Sequence, residues 1–188
     1  FISGLENVST FVYVKSISGS RVSAVGNGHC SWNRTNGALM MPDPEGGEFE
    51  TVQVSKVNDK RLFNNRQGIT WNFPASESGE IEALVYLKED KARFYLTDCW
   101  FNPSDEFIGY QCPYYFEFGI DSVKPLMYHT MTVRYGPDKA ELLCDGEKIQ
   151  EQKILRPFSI GISYLVIQCI SDAPESDGIF IRSLEKKP

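Results

Sequence analysis

The amino-acid sequence predicts an all-β fold, a two-sheet antiparallel β-sandwich of the jelly-roll type with few or no helices. Three observations lead to this prediction. Apolar and polar side chains alternate with a period of two along most of the chain, and clusters of Gly, Pro, Asp and Asn separate the alternating runs. Several runs, such as 92–96 and 113–119, are apolar or aromatic on both faces. A second layer must cover such strands, so two sheets are expected.

The alternation is clearest from Glu80 to Leu87, where every second residue is apolar and falls on one face. The same pattern locates the other strands. In chain order we expect strands at Thr10–Lys15, Ala38–Met41, Glu48–Ser55, Ile69–Phe73, Glu80–Leu87, Lys91–Phe101, Tyr114–Phe118, Thr130–Tyr135, Lys139–Cys144, Tyr164–Ile170 and Ile179–Leu184.

Turn residues indicate how several strands connect. The Lys-Glu-Asp-Lys turn at 88–91 predicts a hairpin between the strands on either side of it. The segment Gly136-Pro137-Asp138 and the pair Asp145-Gly146 predict two further reversals, because Gly takes a positive φ readily. A short helix fits only Val57–Gln67 and Asp121–Tyr128.

The chain is expected to form one domain, residues 1–188. A β-sandwich of up to about 250 residues commonly has a single core, and the sequence contains neither a repeat nor a low-complexity linker. Because the sequence begins at Phe1, it fits a processed secreted chain and a part of a longer polypeptide equally well. In the second case, other domains of that polypeptide are expected partners.

Charge and hydropathy exclude two classes of partner. The formal net charge is -6 and the pI is near 5.0, and no cluster of Lys and Arg offers the basic patch that nucleic acid requires. No run approaches the ~18 uncharged apolar residues of a membrane span, so membrane insertion is not expected.

The five cysteines are odd in number and lack the paired spacing of zinc or redox sites. Cys144 and Cys169 lie inside strand-like runs, where a free thiol behaves as a small buried hydrophobic group. Free thiols throughout would indicate a cytoplasmic protein. In an oxidising compartment, Cys99 and Cys112 are the pair expected to form a disulfide.

Catalytic motifs are missing from the sequence. Paired carboxylates spaced as Glu-x-Asp-x-x-Glu on one strand, which a jelly-roll glycosidase uses, do not occur. Glu80 and Glu82 are the nearest pair, and they are expected to be solvated charges beside a turn. His29 and His129 are the only histidines that could serve a lyase. Catalysis is therefore not the expected function.

Sugar binding has better candidates, because a sugar site combines an aromatic face with amide, carboxylate or guanidinium groups that take the hydroxyls. Two loop segments contain this combination, whereas Trp71 shares a face with Ile69 and Phe73 and is expected in the core. The predicted ligand-binding residues are Trp32, Asn33, Arg34, Asp98, Trp100, Asn102 and Tyr110.

From Tyr128 onward the order of signals resembles a known superfamily. An aromatic-His pair opens the strand Tyr-His-Thr-Met-Thr-Val-Arg-Tyr, the next strand ends in Asp145-Gly146, and the closing strand is entered through Asp177-Gly178. This succession resembles the concanavalin A-like lectin and glucanase sandwiches, which include laminin-G-like domains and the lectin domains attached to glycosidases. It covers about the last sixty residues well.

The resemblance implies a carbohydrate-associated, extracellular domain whose partner is an oligo- or polysaccharide. A non-catalytic glycan-binding or accessory module of a carbohydrate-active enzyme is the leading interpretation. A jelly-roll glycoside hydrolase or polysaccharide lyase and a laminin-G-like protein-interaction domain are the alternatives. Because domains of this type often hold calcium in acidic loops, the resemblance also implies a calcium site. Its predicted ligands are Asp172, Glu175 and Asp177, and Asp43 with Glu45 forms a second acidic loop.

Overall fold

The computed structural model describes residues 23–24, 38–47, 50–55, 67–88, 90–101, 108–170 and 177–187. These residues form twelve strands in two antiparallel sheets. The strands are β1 (Ser23–Ala24), β2 (Ala38–Pro42), β3 (Glu50–Val54), β4 (Gln67–Ser76), β5 (Gly79–Leu87), β6 (Ala92–Thr97), β7 (Tyr114–Phe118), β8 (Tyr128–Tyr135), β9 (Lys139–Cys144), β10 (Glu147–Lys153), β11 (Ile162–Cys169) and β12 (Ile179–Lys187).

The sheets have five and seven strands, in the orders β1-β4-β11-β6-β7 and β10-β9-β8-β5-β12-β3-β2. Their inner faces enclose one large apolar core, to which alternate residues of each strand contribute. Trp71 lies in this core with Ile69 and Phe73, as its position on β4 predicts. The all-β sandwich predicted from the alternation is confirmed.

The predicted hairpin across residues 88–91 is wrong. Leu87, at the end of β5, pairs with Ile179 in the seven-stranded sheet, whereas Ala92, at the start of β6, pairs with Cys169 and Phe118 in the five-stranded sheet. The chain therefore crosses from one layer to the other. A period-two pattern shows which residues face the core, and it is the same for a hairpin and for a crossing between layers.

The strand β10 was not predicted, because its sequence Glu-Lys-Ile-Gln-Glu-Gln-Lys has no apolar alternation. It pairs with β9 alone and forms the edge of its sheet. The turn into it was predicted correctly: Asp145 and Gly146 both have positive φ, +50° and +87°, as a two-residue hairpin turn requires.

Asp121–Tyr128, one of the two segments that fitted a short helix, does not form one. That segment is a series of turns, in which the amides of Ser122 and Val123 donate to the carbonyl of Gly119. Among the described residues the helical structure is a single 3-10 turn, Ile108–Tyr110, and none of it could cross a membrane. The predicted strand at 10–15 and most of the predicted helix at 57–67 lie outside the described residues.

The open edge of β7 is joined to β10 and the residues after it by three hydrogen bonds. The amide of Tyr115 donates to Oε1 of Gln152 at 2.8 Å, and Nε2 of Gln150 donates to the carbonyl of Glu117. The amide of Leu155 donates to the carbonyl of Pro113 at 2.9 Å. Two side chains of β10 and one backbone amide of the segment after it thus satisfy backbone groups at the edge of the other sheet.

Candidate functional site

The outer face of the five-stranded sheet is polar and aromatic in cross-strand rows. One row runs from Thr70 on β4 through Val166 and Tyr95 to Tyr115 on β7. The next row, nearer the start of β6, contains Gln168, Arg93 and Glu117. Aromatic and charged side chains therefore lie side by side on this face.

A loop folds back over this face. We call residues 98–112 the covering loop, of which 98–101 and 108–112 are described. The hydroxyl of Thr97 donates to the carbonyl of Cys99 at 2.8 Å, and that of Thr70 donates to the carbonyl of Phe101 at 3.4 Å. Because β11 separates the strands of these two threonines, the loop crosses over it.

The covering loop is packed down by its apolar residues. Ile108 and Cys112 form a small buried cluster with Tyr95 and Val166 of the sheet, and Phe101 packs against it. Described residues of the loop therefore cover this part of the sheet face.

Beyond the loop, Arg93 organises the charged row. Its guanidinium donates to the hydroxyl of Tyr95 at 2.8 Å and lies 2.7 Å from the carboxylate of Glu117. It also lies over the ring of Tyr115, 5.9 Å from the centroid. Burial opposes the charge, but these hydrogen bonds outweigh it and raise the pKa of Arg93.

The five strands of this sheet contain a single carboxylate, that of Glu117. Hydrolysis of a glycosidic bond requires two carboxyl groups that flank the bond. The described strands of this face do not provide that pair, and the carboxylate they do provide is already bound by Arg93.

A second arginine, Arg156, joins three segments that are distant in sequence. Its guanidinium is bound by both oxygens of Asp98, at 3.2 Å for the pair between Nη1 and Oδ2. Nε donates to the carbonyl of Gln111 at 2.6 Å, and Nη1 also donates to that of Pro157 at 2.9 Å. Both ends of the covering loop are thereby fixed to the segment after β10.

Three large exposed side chains lie close in sequence to the residues that Arg156 joins. Trp100 is 53% exposed and lies two residues from Asp98, Tyr110 is 86% exposed and adjoins Gln111, and Leu155 is 51% exposed and adjoins Arg156. Each of the three thus lies within two residues, or about 7 Å of chain, of Arg156 or of a residue that Arg156 contacts. We call Trp100, Tyr110 and Leu155 the aromatic patch.

The aromatic patch contains two of the predicted ligand-binding residues, Trp100 and Tyr110, in an exposed position. Asp98, also predicted as a ligand, has a different role, because its side chain is only 12% exposed and is bound by Arg156. Arg156 itself was missed, since nothing in Leu-Arg-Pro-Phe indicates what it contacts. The predicted binding residues Trp32, Asn33, Arg34 and Asn102 lie outside the described residues.

The acidic loops are described only in part. Asp172 and Glu175 lie outside the described residues, so the calcium site stays a prediction. The carboxylate of Asp177 lies 2.7 Å from Nζ of Lys88. In the second acidic loop, Asp43 binds Nε of Arg182 at 2.7 Å and accepts a hydrogen bond from the hydroxyl of Tyr128. Both carboxylates thus neutralise cations of this chain.

His129, Cys144 and Asp145 form a polar cluster at one end of the sandwich. Nδ1 of His129 lies 2.6 Å from Oδ2 of Asp145, and its Nε2 lies 2.8 Å from the carbonyl of Lys124. Two ligands of a tetrahedral zinc ion would be about 3.3 Å apart, so the 2.6 Å contact between His129 and Asp145 is a hydrogen bond. The cluster therefore ties β8 to the β9–β10 turn and to the segment before β8.

Four of the cysteines are described, and all four are free thiols. Cys112 and Cys169 are buried, Cys144 is half-buried and Cys99 is exposed. Burial between the covering loop and the sheet raises the pKa of Cys112 to about 12, so this thiol stays protonated. The disulfide considered for Cys99 and Cys112 is not formed in the structure.

Solved structures with the same fold include several carbohydrate-active proteins. A glycoside hydrolase family 16 protein of the Bacteroides ovatus mixed-linkage glucan PUL, in complex with a G4G4G3G product, matches at 11% identity with a TM-score of 0.54, over 89% of this chain and 95% of the other. A legume lectin-like domain from Entamoeba histolytica matches at 10% identity with a TM-score of 0.50, over 92% of each chain.

A sialidase matches at 11% identity with a TM-score of 0.50, over 73% of this chain. The present chain covers only 15% of the length of that sialidase. No protein-family model and no curated protein matches the sequence. The structural likenesses show that the chain has the concanavalin A-like jelly-roll fold that its C-terminal strands and turns predicted.

Proposed function

We propose that this chain is a non-catalytic carbohydrate-binding domain and that the aromatic patch is its binding surface. The observation that carries the proposal is the exposure of Trp100 and Tyr110 on loop ends held by the ion pair of Arg156 and Asp98. A large ring fixed by its backbone loses little conformational entropy when a sugar stacks on it. Such a surface favours binding to the apolar face of a pyranose ring.

Binding is favoured over hydrolysis by the carboxylate content of the sheet face. Glu117 is its single acidic residue in the described strands, and it is paired with Arg93. A lyase would need a histidine beside a tyrosine in a cleft. Of the two histidines, His29 lies outside the described residues, and His129 is held by Asp145 and the carbonyl of Lys124 at the end of the other sheet.

The first ligands to test come from the structural neighbours. The family 16 glycoside hydrolase was solved with an oligosaccharide product of mixed-linkage glucan, and it has the fold of this chain over most of its length. Fold similarity alone transfers no ligand. The similarity is therefore used only to choose mixed-linkage glucan as the first glycan to test, in a wider set that also contains unrelated sugars.

The experiment is a glycan array followed by calorimetry on the best ligand. Trp100→Ala and Tyr110→Ala should each weaken binding about tenfold, because truncating an aromatic anchor costs on the order of 1–2 kcal/mol. Ile120→Ala is the matched control, since it truncates another exposed apolar side chain, just beyond the far end of β7. All three proteins should unfold at the temperature of the unmodified chain.

The proposal is contradicted if no glycan is retained by the folded protein, or if all three variants bind equally. Exposed Trp and Tyr beside an arginine are also typical of protein interfaces. A blank array would therefore leave the laminin-G-like protein-interaction domain as the better interpretation.

A further inference from the structure

The way in which the charge of Arg156 is compensated indicates whether the aromatic patch favours charged or uncharged ligands. Arg156 is the cation that joins the segments in which the residues of the patch lie, and both oxygens of the Asp98 carboxylate bind the guanidinium. The remaining contacts of Arg156 are the carbonyls of Gln111 and Pro157. Four of its N–H donors therefore have acceptors within the protein, and its charge is compensated before any ligand arrives.

The other charged groups around the patch do not attract anions either. Arg93, on the same sheet face, is paired with Glu117, whose carboxylate is 44% exposed. Lys153 at the end of β10 is exposed, but a solvated lysine is a mobile charge and not a preorganised anion site. The chain as a whole carries a net charge of -6, which repels anions at a distance.

We propose that the aromatic patch binds uncharged polysaccharides and discriminates against glycans that carry carboxylate or sulfate groups. The inference rests on the proposed function and specifies its ligand class. Trp100 and Tyr110 supply stacking surfaces that require no ligand charge, while Asp98 prevents Arg156 from binding an anionic substituent. Asp98 is thus a specificity-determining residue that need not touch the sugar.

The test compares two soluble forms of one β-glucan, hydroxyethyl-cellulose without charge and carboxymethyl-cellulose with carboxylates, in native affinity electrophoresis. The unmodified protein should bind the uncharged form about tenfold more tightly at low ionic strength. Added salt should narrow the difference, because it screens the repulsion between the acidic protein and the anionic polymer.

Asp98→Asn tests the role assigned to the carboxylate. The amide keeps an oxygen that accepts from Arg156 but leaves the guanidinium charge uncompensated, so binding of the carboxymethyl form should rise about tenfold. Asp177→Asn is the matched control, because it removes the same charge from the exposed pair with Lys88 on the other sheet. It should leave the preference for the uncharged polymer unchanged.

The possible results separate the two proposals. If the unmodified protein binds the carboxymethyl form as tightly as the uncharged form, the inference on charge is overturned while glycan binding stands. The inference is also overturned if Asp98→Asn and Asp177→Asn behave alike. If the protein binds neither polymer and no glycan on the array, the proposed function fails and the inference fails with it.

Discussion

Replacing Arg156 with alanine should destabilise the covering loop and with it the whole domain. The substitution removes the cation that binds Asp98 and the donors that reach the carbonyls of Gln111 and Pro157. Exposed ion pairs usually contribute about 0–1 kcal/mol. This pair differs because the Asp98 side chain is 12% exposed, so the variant leaves a mostly buried carboxylate without its partner.

The magnitude follows from what is left unpaired. A buried acceptor that loses its donor costs about 1–3 kcal/mol, and the 39% exposure of Arg156 places this site in the middle of that range, because water replaces some of the lost contacts. We therefore expect a loss of about 2 kcal/mol in the free energy of unfolding. For a domain of this size that corresponds to a fall in Tm of roughly 4–8 °C.

Thermal and urea unfolding of Arg156→Ala, Asp98→Ala and the double variant measure this cost. The double variant should be more stable than Arg156→Ala, because it removes the carboxylate that the single variant leaves unpaired. Arg134→Ala is the control, since Arg134 forms an exposed pair with Glu80 and its loss should change the Tm little. Equal Tm changes for Arg156→Ala and Arg134→Ala would refute the reasoning.

Three further predictions concern other parts of the chain. Gly161→Ala should destabilise the domain far more than Gly146→Ala. Both glycines have positive φ, but of the two only Gly161 lies where a Cβ would meet backbone, 2.6 Å from the carbonyl of Ser76. Equal unfolding midpoints for the two variants would contradict this prediction. Burial raises the pKa of Asp145, but hydrogen bonds from His129 and from the amide of Thr130 outweigh it, so the pKa is lowered overall. The contribution of Asp145 to the free energy of unfolding is therefore present above the ordinary carboxyl range and is lost as pH falls through the lowered pKa. Urea midpoints between pH 2 and 6 should accordingly fall more steeply for the unmodified chain than for Asp145→Asn. If the acidic loop that contains Asp177 holds calcium, a chelator should lower Tm and calcium should restore it, whereas an unchanged Tm counts against the site.

The sequence predicted the inward faces of the strands more reliably than their partners. Trp71 was placed in the core because period two fixes which side of a strand a residue occupies. The Asp145-Gly146 turn was predicted because its positive φ values demand those residue types. The crossing between β5 and β6 was not, since strand pairing depends on contacts between residues that are distant in sequence.

For the candidate site, the exposed aromatic residues were predictable from the sequence, whereas the ion pair that fixes the loop in which they lie was not. Trp100 and Tyr110 lie in segments rich in loop residues, so exposure was a reasonable expectation. The pairing of Asp98 with Arg156 joins residues on two different loops, and no local pattern indicates it. Asp98 was consequently assigned to the ligand, although its carboxylate is bound within the protein.

The hydrogen bonds between the edge of β7 and Gln150, Gln152 and Leu155 restrict how this domain can associate. A free strand edge lets a peptide or a second copy add a strand, which is a common first step toward fibrils. Here the carbonyls of Pro113 and Glu117 and the amide of Tyr115 are already engaged. Partners that approach this side must therefore recognise side chains, and copies of the domain held close together are hindered on this side from polymerising strand to strand.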